Sequence, residues 1–181
     1  MKHVASIVAA LFFAPAVLAQ PQSIPDYERS DNLDPQVEML YRREASGLKQ
    51  YDRGDYEGAF EMLSETAVQG LKKSQYILAF MFLKGEHVDK NILLGMAWMG
   101  VAKESKDREW VEQFDNFYSK FNEAQQAMVD AKVNQYIERY GISATNVTCD
   151  RIQAAGSRRY EVRCIKTGVP NSNPIPVELT L

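Results

Sequence analysis

Histidine and cysteine, on which most metal sites and many nucleophilic active sites depend, are scarce in this chain. Its 181 residues include two of each, and one histidine, His3, stands near the N-terminus. The sequence also lacks a Gly-x-Ser-x-Gly nucleophile motif, a phosphate-binding loop and a His-Glu-x-x-His zinc motif. We therefore predict no catalytic residue, no metal site and no cofactor, and we interpret His87 as a loop residue.

A general excess of positive charge is also missing. The formal net charge is -3 at pH 7, whereas generic nucleic-acid binding needs a basic surface. We therefore expect no nucleic-acid partner. The C-terminal part is locally basic, which would suit an anionic partner surface or simply keep a strand edge soluble; its basic residues are Arg151, Arg158, Arg159, Arg163 and Lys166.

The two cysteines, Cys149 and Cys164, form an even pair. In an exported chain such a pair predicts one disulfide. Free thiols or a metal site are the alternatives, and a metal site would need further thiols or histidines.

The N-terminus has the features of a signal peptide. Lys2 supplies a positive start, residues 4–13 are nearly all apolar, and the small residue Ala19 precedes Gln20. The apolar run is shorter than the roughly 20 residues that span a membrane. We predict a signal peptide over residues 1–19, no membrane span after its cleavage, and export to the periplasm or beyond; an uncleaved anchor is the alternative.

Residues 20–35 are polar and proline-containing, which predicts a flexible leader. Apolar residues at helical spacing then predict a helical domain over residues 36–144. Asp34 and Pro35 suit the start of its first helix, and Gly54 with Asp55 ends that helix and begins the next.

Small residues recur along this domain at a repeat-like interval. Gly47 and Ala79, on the two outgoing helices, are 32 residues apart, and Ala59 and Gly95, on the two returning helices, are 36 apart. Periods of this length indicate stacked helical repeats. The second hairpin comprises helices over 74–84 and 91–104.

A third helical pair is rich in aromatic residues. Asn122 and Gln125 suit a capping box at the start of its second helix, which Gly141 ends. We predict that this pair is core and closes the exposed end of the repeat stack. Its first stripe consists of Trp110, Val111, Phe114, Phe117, Tyr118 and Phe121.

Residues 145–181 predict a β-hairpin and a tail. Residues 146–152 and 159–165 alternate as strands do, and Gly156-Ser157 suits a two-residue turn. That turn sets Cys149 opposite Cys164, within bridging distance. The proline-containing end predicts a loop, or an edge strand at residues 177–179.

The segment 74–105 resembles the Sel-one-like repeat, a relative of the tetratricopeptide repeat with a longer inter-helix loop. The departures are Ala79 and His87 where the family has Gly, and Gly95 and Lys103 where it has Ala. Such a loop glycine tolerates a positive φ that His87 adopts only at a cost. The residues that stand at the positions of the family pattern, departures included, are Leu78-Ala79, Phe82, Gly85-Glu86-His87-Val88, Gly95, Trp98 and Ala102.

The preceding hairpin, with Gly54-Asp55-Tyr56 and Ala59, looks like a tetratricopeptide unit. Together the resemblances imply a mainly α fold, an α-solenoid of helical hairpins followed by the disulfide-bridged β-hairpin, and a scaffold or adaptor role.

In such repeats the outgoing helices line the concave face, which implies a surface for a protein or peptide partner of the cell envelope. Aromatic anchors between charged groups suit a peptide groove. The competing interpretation is that the third helical pair or the hairpin fills this face and makes Tyr76 and Phe80 core. The predicted partner-binding residues are Tyr41, Glu44, Leu48, Tyr51, Lys73, Tyr76, Phe80 and Lys84.

We therefore hypothesise a non-enzymatic exported adaptor. One alternative is an accessory subunit docked permanently in an envelope complex. Another is a carboxylate-based envelope hydrolase, which would need two carboxylates about 5–9.5 Å apart across one cleft.

Overall fold

The computed structural model describes residues 34–153, 156, 158, 160–169 and 176–177. The predicted signal peptide, all but the last two residues of the predicted leader, and most of the C-terminal tail lie outside these ranges. Within them the protein is mainly helical, with one two-stranded antiparallel hairpin. The elements are α1 (Pro35–Asp52), α2 (Tyr56–Val68), α3 (Lys72–Lys84), α4 (Ile92–Ala102), a 3-10 turn (Lys103–Ser105), α5 (Arg108–Tyr118), α6 (Glu123–Tyr140), β1 (Val147–Gln153) and β2 (Tyr160–Lys166).

Side-chain caps fix where several helices begin, as the sequence predicts. The Asp34 carboxylate accepts the backbone N–H of Gln36 at the start of α1. Asp55 likewise caps α2, and Asn122 forms the predicted capping box with Gln125 at the start of α6. Each bond satisfies a backbone donor that the first helical turn leaves unpaired.

The first four helices pack in chain order, α1 on α2, α2 on α3 and α3 on α4, and α1 also touches α3. Glycines permit the close approach. A Cβ on Gly47 would lie 2.8 Å from the Leu63 side chain, and one on Gly95 would lie 2.6 Å from that of Leu83. The predicted small residues therefore mark the places where α1 meets α2 and α3 meets α4.

The third helical pair packs against α4 mainly through its second helix, because the contact of α6 with α4 is larger than that of α5. The fully buried Trp98 of α4 stacks on Tyr140 with ring centroids 4.8 Å apart and meets Tyr136 edge-on at 5.1 Å. Aromatic pairs in these geometries stabilise a core beyond their buried area. Of the predicted α5 stripe, Phe114 is buried and the other members are half-buried.

The ends of α3 and α4 lie at or near the predicted residues. Gly85 ends α3 in the left-handed conformation, with φ 80°. α4 ends at Ala102 and continues as a 3-10 turn, rather than remaining α-helical to Glu104. In the loop that follows Gly85, His87 has φ 66°, the positive value expected for a position where the resembled family has glycine.

The predicted register of the hairpin is confirmed, although each strand begins one residue later than predicted. Cys149 pairs with Cys164, and the two form a disulfide. The described tail residues, Gly168, Val169, Pro176 and Val177, have no regular secondary structure. Within the part of the chain that the structure describes, no helix is both long and apolar enough to cross a membrane.

The base of the hairpin is fixed to the helices by Lys166. Its ammonium group donates to the carbonyl oxygens of Gln69, at 2.9 Å, and Thr145, at 2.7 Å. Its backbone N–H donates to the Tyr41 hydroxyl at 2.8 Å. Burial without a carboxylate partner lowers the pKa of Lys166 to about 8. One residue therefore joins β2 to α1, to the end of α2 and to the turn before β1.

Candidate protein-binding surface

Four half-buried aromatic side chains from three helices lie close together, and we call them the aromatic strip: Trp110 (α5), Tyr76 and Phe80 (α3), and Tyr51 (α1). Trp110 and Tyr76 stack with centroids 4.6 Å apart and planes 15° apart. Tyr76 meets Phe80 edge-on at 5.1 Å. Since Tyr76 and Phe80 are four residues apart on α3, helical geometry alone brings them onto one face.

Lys84 connects Phe80 to Tyr51. Its ammonium nitrogen lies 5.6 Å from the Phe80 ring centroid and 5.7 Å from that of Tyr51. Both distances fall within the range of cation–π attraction. The exposed lysine thus fixes a positive charge between two rings of the strip.

A hydrogen-bonded triad holds that lysine in place. Lys84 donates to the Tyr51 hydroxyl at 3.1 Å and to the Glu86 carboxylate at 3.2 Å, and the Tyr51 hydroxyl donates to Glu86 at 2.8 Å. Burial and the bond to Glu86 raise the pKa of Tyr51. The bonds to Tyr51 and Glu86 raise the pKa of Lys84. The tyrosine is therefore neutral and the lysine charged at neutral pH.

The strip is partly covered and partly open. Trp110 covers one face of Tyr76. The competing interpretation, in which the third helical pair fills the concave face, predicts a contact of this kind. However, Tyr76, Phe80 and Tyr51 all keep part of their surface exposed, and Lys84 is exposed. The strip therefore presents ring surface that a second molecule could contact.

Glu44, one of the predicted partner-binding residues, does not belong to this surface. It is buried, with 9% of its surface accessible. Its carboxylate accepts the Ser74 backbone N–H at 3.0 Å and the Ser74 hydroxyl at 2.8 Å. Burial raises the pKa of Glu44, although the Ser74 bonds oppose that shift. Glu44 thus serves the contact between α1 and α3.

Tyr41 is also directed to an internal contact, because its hydroxyl accepts the backbone N–H of Lys166. Leu48 is half-buried against the core, and Lys73 is exposed. Of the eight predicted residues, the structure brings four together in one continuous arrangement: Tyr51, Tyr76, Phe80 and Lys84.

Sequence reasoning missed two members of the site, Trp110 and Glu86. Trp110 shares the helical spacing of Phe114 and Phe117, so periodicity alone assigns it to the core. Glu86 lies in a loop, where nothing in the sequence indicates that it reaches Tyr51 of α1, 35 residues earlier.

Several carboxylates of the helical domain form ion pairs. Arg43 lies 3.4 Å from Glu61 and 2.6 Å from Glu65. Glu104 accepts from Lys72 at 3.0 Å and from the backbone N–H of Ile142 at 3.1 Å. Within the described ranges, no group of three or more His, Cys, Asp or Glu residues is placed to hold a metal ion.

No protein-family model matches the chain, and comparisons with curated proteins and with solved structures likewise found no match.

Proposed function

We propose that this chain is a non-enzymatic, exported adaptor of the cell envelope that binds a protein or peptide partner through the aromatic strip. The observation that carries the proposal is the continuous row of half-exposed rings from Trp110 to Tyr51, with the Lys84 charge held between two of them. The lack of nucleophile and metal motifs in the sequence supports a binding role rather than catalysis.

The chemistry of the strip suits protein recognition. Tyrosine and tryptophan dominate the energetics of many interfaces, because they bury a large rigid area and lose little conformational freedom on binding. Here the rings are already ordered by contacts with one another and by the Lys84–Tyr51–Glu86 triad, so a partner would not have to order them. Apolar side chains of the partner would pack against the rings.

The proposal includes a repeat architecture for α1–α4. In this interpretation the two helical pairs are stacked repeats, and their outgoing helices, α1 and α3, line the concave face. The close approaches at Gly47 and Gly95 support it, because each small residue lies at the contact within one helical pair. The contact between α1 and α3, sealed by Glu44 and Ser74, is what stacking of two repeats requires.

The proposed location rests on two features of different kinds. The N-terminal sequence has the pattern of a signal peptide, and the Cys149–Cys164 disulfide suits an oxidising compartment.

A site-specific crosslinking experiment tests the adaptor function. A photo-crosslinking residue placed at Tyr76 or Phe80 in cells is expected to capture one dominant protein, identified by mass spectrometry. The same residue at Phe117, a half-buried aromatic position outside the strip, is the matched control and should capture little of that protein.

Substitution then shows whether the rings themselves bind. Trp110→Ala and Phe80→Ala should abolish capture while circular dichroism shows a helical content equal to wild type. The proposal would be contradicted if the crosslinking residue at Phe117 captured the same protein as efficiently as the one at Tyr76. It would also be contradicted if capture from Tyr76 survived both substitutions.

A further inference from the structure

The backbone groups along the two edges of the β-hairpin are hydrogen-bonded differently at its base, next to the helices, and in its outer half. At the base both edges are bonded to the rest of the chain. The backbone N–H of Val147 donates to the Ile142 carbonyl at 3.0 Å, and that of Lys166 donates to the Tyr41 hydroxyl at 2.8 Å. These two edge positions next to the helices are therefore not free to pair with another strand.

Further out, the ladder pattern shows which backbone groups face away from the hairpin. The backbone N–H of Thr167 donates to the Asn146 carbonyl at 2.9 Å, so these two residues form a hydrogen-bonded pair. Along the register from there, non-hydrogen-bonded and hydrogen-bonded pairs alternate. Cys149 and Cys164 therefore form a non-hydrogen-bonded pair, in agreement with their Cα separation of 4.0 Å.

On β2 the outward-facing backbone groups belong to Tyr160, Val162 and Cys164. In the part of the chain described, no residue accepts from or donates to these outward groups. Backbone groups of this kind are strong donors and acceptors, and an unpaired edge is a template for another strand.

The side chains next to this edge identify the strand that fits it. Glu161 and Arg163 flank Val162, and both charged side chains are more than half exposed. We propose that β2 pairs antiparallel with β2 of a second copy of this chain, with Val162 on the two-fold axis. Glu161 of each copy then lies opposite Arg163 of the other, in the close, non-hydrogen-bonded position where opposite charges attract.

This register uses the whole open edge. Val162 faces its own counterpart, and Tyr160 faces Cys164 of the second copy, so three facing pairs exchange about six backbone hydrogen bonds. The charges also continue across the sheet, because Arg163 already faces Asp150 within its own hairpin. Arg163 also lies 3.8 Å from Glu161 of its own strand. In the dimer it would therefore stand among three carboxylates, two from its own copy and one from the other.

Two alternative arrangements are disfavoured. Pairing of β1 with itself about Arg151 would set two arginines directly opposite each other, which is repulsive. Pairing of β2 about Cys164 would require the outward N–H of Lys166, which is bonded to Tyr41. The disulfide ties β2 to β1 next to the open edge, which limits the freedom that β2 would lose on pairing.

The contact is small, so we expect a reversible dimer rather than a permanent one. Contacts that bury less than about 1,200 Å² belong to the weak, transient class. Sedimentation velocity of the purified oxidised protein should therefore show a monomer–dimer equilibrium that shifts with protein concentration.

Charge reversal provides the decisive test. Glu161→Arg and Arg163→Glu should each weaken self-association by about tenfold or more, because each turns two attractive pairs into repulsive ones. An equimolar mixture of the two variants should dimerise again, since every facing pair is then opposite in charge. Arg151→Glu, on the other strand, should leave self-association unchanged.

A crosslink tests the register directly. Val162→Cys should give a disulfide-linked dimer on a non-reducing gel, because two opposed residues lie within bridging distance. Arg151→Cys should give none. A wild-type protein that stays monomeric at all concentrations, or single variants that associate as well as wild type, would overturn the proposal; recovery in the mixture would exclude misfolding as the cause of lost association.

Discussion

The Glu44 carboxylate of α1 caps the N-terminus of α3 by accepting the backbone N–H of Ser74 at 3.0 Å. α3 has no cap of its own, because its N-cap residue is Leu71, whose side chain cannot accept a hydrogen bond. The Ser74 hydroxyl, which also donates to Glu44, lies 2.7 Å from the Thr66 hydroxyl of α2. The buried carboxylate thus joins α1 to α3, and the Ser74 hydroxyl extends the network to α2.

Removal of that acceptor should be costly. Glu44→Ala is expected to lower the free energy of unfolding by about 1–3 kcal/mol, because the buried Ser74 N–H and hydroxyl lose their partner. Urea denaturation followed by circular dichroism measures the change. Glu57→Ala, which removes an exposed carboxylate on α2, should change stability by less than about 0.5 kcal/mol; equal effects of the two substitutions would contradict the capping role.

The raised pKa of Glu44 predicts a pH dependence with a definite sign. Its stabilising contribution is complete below the unfolded-state pKa, near 4.5, and is lost as the pH rises through the higher folded-state pKa. Glu44→Gln keeps an oxygen acceptor but cannot ionise. The stability of Glu44→Gln relative to wild type should therefore improve from pH 4 to pH 8, and a constant difference would contradict the shift.

Lys166 predicts a pH dependence in the alkaline range. Its pKa is about 8 in the folded protein and near 10.5 when unfolded, so the unfolded chain binds more protons between these values. The free energy of unfolding should then rise with pH across this range, by up to about 3 kcal/mol from this residue. Guanidinium titrations at pH 7 to 10.5 should show that Lys166→Met loses this rise. Lys73→Met, at an exposed site, should retain it.

Gly70 is predicted to be intolerant of any side chain. It has φ 92°, and a Cβ there would lie 2.1 Å from the Thr145 hydroxyl. Gly70→Ala should therefore cost about 3 kcal/mol or more, from backbone strain and overpacking together. Gly54 has a similar φ of 78° but open space around it, so Gly54→Ala should cost only about 1–2 kcal/mol. Thermal unfolding of both variants measures the difference, and equal losses would contradict the steric argument.

Local signals in the sequence predicted the local features of the structure. The capping box of Asn122 and Gln125 needs only residues three apart, and the hairpin register follows from its turn, which set Cys149 opposite Cys164. The periodicity of α3 likewise placed Tyr76 and Phe80 on one face.

Contacts between distant elements could not be predicted in this way. Glu44 meets its partner 30 residues along the chain, and the Lys166 ammonium meets the Gln69 carbonyl 97 residues away. In both cases a charged residue looks solvent-exposed by its local pattern, and only the arrangement of the helices shows that it is buried. Trp110 is the opposite case, since its aromatic pattern indicates core but its position beside Tyr76 leaves it half-exposed.

The bond from Lys166 to Tyr41 closes a chain segment of 125 residues. The larger contacts among α1, α2, α3 and α4 join helices that are neighbours in sequence, and the disulfide spans only 15 residues. Because the entropic cost of closing a loop grows with its length, the short-range units should form first. Docking of the hairpin is therefore expected to be the slow, final step of folding, and the seam around Tyr41, Gln69 and Thr145 the last part of the protein to become ordered.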